Sequence, residues 1–132
     1  MEIFGKYSKL YGDWFYLVFR FLVGVMFFMH GSGKLFGWFG GKAMGFSGLM
    51  GFVGSVEFLV GLAIIFGFLV RLAALGGSLI MIGAYLTAHL GWNPLQTGGE
   101  LALMYLSAFL VLIVFGARKW QLDKVLFKKE IF

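Results

Sequence analysis

Five ionisable side chains sit inside or at the rim of long apolar runs. Arg20 interrupts "WFYLVFRFLVGVMFFM" and Glu57 interrupts the run from Leu49 to Val70. His30 closes the first run, His89 nears the end of the run from Leu72 to Leu90, and Glu100 opens the last. A charged group costs about 2.5–3.5 kcal/mol at a helix centre in hydrocarbon, so such residues pair, neutralise or line a functional cavity. A carboxyl or an imidazole in that setting can exchange protons. Arg20 and Lys34 can attract negative charge. Lys34 follows His30 by four residues, so the two share a face if helix continues through "HGSGK". Trp38 and Trp92 flank this group, and Asn93 lies beside it in sequence.

Each of these residues also has a purely structural reading. Arg20 could snorkel to headgroups. Glu57 could be a protonated carboxyl bonded to a neighbouring helix, and its depth makes a partner close to obligatory. His30 and His89 could be ordinary interfacial residues. Glu100 could serve only the positive N-terminal end of its helix, and Arg71 only the topology.

The elements that must position these groups are helices in a membrane. Apolar residues make up 61% of the 132 residues and charged residues 13%, against about 45–50% and about 25% in soluble chains. So short a chain cannot hide that much apolar surface from solvent, so lipid must be part of the solvent. The runs are continuous rather than alternating, which excludes barrel strands. Spans are expected at about 13–30, 49–70, 72–90 and 100–116, giving an all-α integral membrane four-helix bundle in one domain covering 1–132. Arg71 alone forms the turn between spans two and three. A Gly- and aromatic-rich segment, residues 31–48, makes an interfacial loop between helices 1 and 2. Residues 118–132 read as an amphipathic tail with Trp120, Leu122, Val125 and Leu126 toward lipid.

Charge placement argues for lipid rather than nucleic acid as the partner. Lys6, Lys9, Arg71 and the basic residues from Arg118 to Lys129 fall on one side, and only Lys34 and Lys42 on the other. The positive-inside rule then puts both termini in the cytoplasm, with no cleavable leader expected. The sequence holds no cysteine, which excludes thiol catalysis and Cys-ligated metal on this chain. "HGSGKL" fails as a phosphate loop because Phe28 and Leu35 stand at its consensus positions. His30 and His89 could in principle hold a haem; no other metal site is expected.

The order of the polar residues adds a resemblance. Arg20 is followed by Gly31, Lys34 and Leu35, then Glu57 and Gly61, then Gly67, Arg71, Ala73 and Ala74. Gly98, Gly99, Glu100, Ala102 and Tyr105 come next, and Gly116, Trp120 and Asp123 close the chain. This pattern resembles the DoxX family of small four-helix membrane proteins. The family is similar to the membrane subunit of a thiosulfate–quinone oxidoreductase, and relatives occur in redox-stress and sulfur-metabolism complexes. Arg20, Lys34, Glu57, Arg71 and Glu100 match its polar signature.

The resemblance implies a redox-associated subunit of a prokaryotic plasma membrane, with a pocket in its outer half for a quinone or a small sulfur oxoanion. Glu57, His30 and His89 would be the catalytic groups. Arg20, Lys34, Arg71, Glu100, Trp92 and Asn93 would bind the ligand. A redox partner protein would supply electrons, and a homo-oligomer is a further expectation. A non-enzymatic scaffold and a small-solute transporter are the alternatives.

Overall fold

Glycine sets how closely the first two long helices approach. The computed structural model describes residues 2–88 and 93–130, which are helical apart from short connections. The elements are α1 (Glu2–Phe36), a 3-10 turn (Trp38–Gly40), α2 (Gly48–Phe66), α3 (Val70–Ala88), α4 (Pro94–Thr97), α5 (Glu100–Phe115) and α6 (Leu122–Phe127). Gly24 and Gly31 on α1 face Gly61 and Gly54 on α2. A Cβ at Gly61 would lie 2.5 Å from the Phe28 nitrogen, and one at Gly31 would collide with the Phe58 backbone. The helices therefore meet backbone to backbone, as small residues allow where lipid gives no hydrophobic drive to association.

Three helices, α1, α2 and α3, are long and apolar enough to cross a membrane. α5 is as apolar but has 16 residues. Exposed leucines on all four face outward, while Phe27, Ile64, Val70, Ala74, Phe109 and Leu112 fill the interior. The Phe27 ring stands edge-on to Phe109 at 4.8 Å. Gly77 on α3 makes room for Phe109, whose ring would lie 2.8 Å from any Cβ there. α1 packs along α2, α2 on α3 and α3 on α5, while the α1 and α5 backbones stand farther apart. Large rings bridge that seam, Phe27 meeting both Tyr105 and Phe109 across it.

Several boundaries differ from the sequence reading. α1 begins at Glu2 rather than near residue 13. Nothing in "EIFGKYSKLYGDW" stops a helix, because Gly5 and Gly12 only lower its propensity. At about 1.5 Å per residue its 35 residues run about 52 Å, well beyond a bilayer core of about 30 Å. Helix also continues through "HGSGK" to Phe36, so the irregular connection is 37–47 rather than 31–48. It begins at Gly37, which takes the left-handed conformation (φ 77°) and closes the helix by donating to the Gly33 carbonyl.

Arg71 is not the turn between α2 and α3. Gly67 (φ 72°) ends α2, and Arg71 lies exposed in the first turn of α3. The tail holds only the six-residue α6, and one of its residues turns inward. Asp123 is fully buried, and both its carboxylate oxygens accept from the Leu69 backbone N–H, at 3.2 and 3.1 Å. It thus satisfies a free donor just before α3, as a capping residue does. Trp120, Val125 and Leu126 remain exposed as an outward apolar face.

Candidate functional site

The extra turn of α1 builds the site. Because helix persists to Phe36, Lys34 stands one turn beyond His30, and both border the same cavity although His30 is exposed. Gly54, close against the Lys34 stem, lets α2 approach there. Lys34 consequently reaches across to Glu57, and its Nζ donates to Oε2 at 2.7 Å. The Glu57 side chain is 4% exposed and that of Lys34 26%. The pair is thus asymmetric, with a carboxylate sealed among helices and an ammonium reaching toward open space.

That space is a cavity of about 160 Å³, walled by Glu57, Lys34, His30, Tyr105, Phe27 and Met81. The His30 and Tyr105 rings meet edge-on at 5.7 Å. An outer lobe of about 440 Å³ shares His30, Lys34, Leu101 and Tyr105 with it, and is closed by Trp38, Phe39 and Lys42 of the connecting loop. Ligand pockets usually occupy about 300–1,000 Å³, mostly apolar with a few convergent polar groups. The loop is tied down at both levels. Met44 donates to the Lys34 carbonyl at 2.6 Å, and Phe36 packs on Trp38, Phe46 and Phe58.

The other sequence candidates fall elsewhere. Arg20 is fully buried at the opposite end, where it donates to the carbonyls of Ile65, Ala117, Lys119 and Trp120 at 2.5–3.3 Å. These carbonyls belong to the last turn of α2 and the stretch after α5, so Arg20 ties those chain ends together and lies far from Glu57. Snorkelling to the headgroups does not describe it. Arg71 stands exposed at that same end, near Gly116. Glu100 is exposed in the first turn of α5 and Asn93 caps α4 by accepting from Leu95; neither lines the cavity. His89 and Trp92 lie outside the described residues. Among the described residues no cluster of His, Asp or Glu could hold a metal ion.

Tyr105 is the wall residue that sequence reasoning did not single out as a site group. It is a lone phenol in the apolar run of α5, and its position opposite His30 depends on how α5 lies against α1.

The DoxX family pattern matches residues 15–90, more than half of the chain and the part that carries Arg20, Lys34 and Glu57. The chain belongs to the DoxX family. With its apolar helices, that makes it a multi-pass membrane protein. A Haemophilus influenzae protein described as uncharacterized is 33% identical over 129 residues, covering 90% of this chain and 96% of that one. A Bacillus subtilis protein named "Putative oxidoreductase CatD" is 30% identical over 117 residues, covering 85% and 87%. No solved structure matches. The DoxX match ends before α5, so Tyr105 and Leu101 join the cavity from outside the matched segment.

Proposed function

We propose that this DoxX protein is a redox-associated membrane subunit that binds a quinone headgroup beside the Lys34–Glu57 pair. The observation that carries the reading is the composition of that cavity. An ion pair, an imidazole and a phenol converge within walls that are otherwise apolar. A quinone needs one or two hydrogen-bond donors at its carbonyl oxygens and takes up two protons with two electrons. Lys34, His30 and Tyr105 can donate, and Glu57 or His30 can relay protons. In this reading the electrons come from a partner protein or its cofactor. The relative named as an oxidoreductase supports the same class.

A sulfur oxoanion fits less well, because Glu57 already neutralises the Lys34 charge. The basic ends argue for cytoplasmic termini in a prokaryotic plasma membrane, with the cavity toward the outer face. The internally bonded Arg20 favours a structural role for the polar residues at the other end, as the scaffold alternative requires.

The test is titration of the purified protein with a tail-less benzoquinone, read by quenching of tryptophan fluorescence, since Trp38 lines the outer lobe. Saturable quenching is expected, weakened about tenfold or more in Glu57→Gln. Equal affinity in that variant removes Glu57 from the site, and absence of saturable binding in the parent overturns the proposal.

A further inference from the structure

The ring-bridged seam between α1 and α5 holds a groove of about 250 Å³ on the outer side of the bundle. Its walls include Phe19, Leu22 and Met26 of α1 with Leu101, Met104 and Ala108 of α5. Its lining spans seven helical steps on each helix, a length of about 10 Å. Leu101 and Tyr105 line this groove, the Glu57 cavity and the outer lobe alike, and Met26 lines the groove and the outer lobe. Groove and polar cavity therefore lie on either side of a common wall made by Leu101 and Tyr105.

We infer that this seam is a lateral portal, through which a ligand enters from the lipid and leaves a hydrocarbon tail in the groove while its polar ring sits at Lys34 and Glu57. The inference rests on the quinone reading and specifies the ligand as a tailed, membrane-dissolved one. Depth distinguishes the occupant from an ordinary phospholipid. Glu57 lies nine residues into α2, about 13 Å below its start. A phospholipid headgroup stays at the interface, so its acyl chain could fill the groove only with nothing at the polar pair. A ring-headed amphiphile places a polar group at that depth and its tail alongside. Ala108 is half-buried on the groove wall opposite the α1 residues. A larger side chain there would occupy the tail's path without touching Lys34, Glu57 or His30. Leu22, exposed at the lip, offers a second position independent of the packing of α5.

The experiment compares a tail-less benzoquinone with the same ring carrying two isoprene units, in lipid nanodiscs with concentrations referred to lipid. The protein is the parent chain, Ala108→Trp and Leu22→Trp. The expected result is unchanged tail-less affinity in all three and at least tenfold weaker binding of the tailed ring in each tryptophan variant. Retained tail-less binding shows that the variants are folded. Unchanged binding of the tailed ring in both variants overturns the portal and leaves the headgroup site standing. Loss of both ligands in Ala108→Trp alone transfers the decision to Leu22→Trp. No saturable binding of either ligand to the parent overturns the quinone reading and the portal with it.

Discussion

Removing Lys34 should cost more than removing Glu57, although the two make one bond. Lys34→Met leaves a carboxylate that is 4% exposed with its ion partner gone. Breaking a buried pair in that way costs about 3–5 kcal/mol, reduced if the carboxyl takes up a proton. Glu57→Leu leaves an ammonium that is 26% exposed and already faces the cavity. It can turn to water, so the loss is that of a partly solvated pair, about 1 kcal/mol. The double variant strands no charge and should lie near the parent, as apolar replacement of buried pairs does. The cycle then yields a coupling of about 4–6 kcal/mol, the sum of the two single losses, lowered by any relief of the stranded carboxyl. Reversible unfolding in mixed micelles at increasing denaturing detergent, followed by circular dichroism, measures all four proteins. Equal losses for the two single variants that sum in the double would refute both the pairing and the asymmetry derived from exposure.

Glycine contacts and the Arg20 cluster give two further expectations in the same assay. Gly31→Ala should lose about 1–3 kcal/mol by forcing α1 off the Phe58 backbone, whereas Gly83→Ala, with nothing within 4 Å of its added carbon, should be neutral. Arg20→Lys should destabilise by about 2 kcal/mol or more, since a single ammonium cannot span the four carbonyls the guanidinium reaches, and should leave tail-less quinone affinity unchanged.

Helices and membrane character were legible because the apolar runs are long and the charges sit at their ends. The termini of those runs were less so. "HGSGK" carries two glycines and reads as a break, yet Gly31 and Gly33 are both buried in continuous helix. Glycine there serves close approach to α2 and the loop rather than a turn, and only tertiary packing separates those uses. Glu57 was recognisable as needing a partner, but the sequence did not say which cation supplies it. The choice depends on axial height. Arg20 lies level with the end of α2 and Lys34 with its middle, a consequence of the antiparallel pairing that glycine contacts fix. Asp123 offered no signal of burial among the lysines of the tail.

The two ends of the bundle use polar groups in opposite ways. At the end carrying the termini, Arg20 reaches four carbonyls, and Asp123 holds the Leu69 N–H with both oxygens. Withdrawing either group for a ligand would leave buried backbone groups unsatisfied, at about 1–3 kcal/mol each. Such residues can fix structure, but a ligand would have to break that structure to use them. At the loop end, Lys34 faces open volume with a single bonded partner in Glu57, and His30 and Tyr105 border the same volume through ring edges. A ligand can enter there without uncovering the backbone. The polar groups of this chain thus divide by bonding state, and the ones with room for a ligand beside them are those around Lys34 and Glu57.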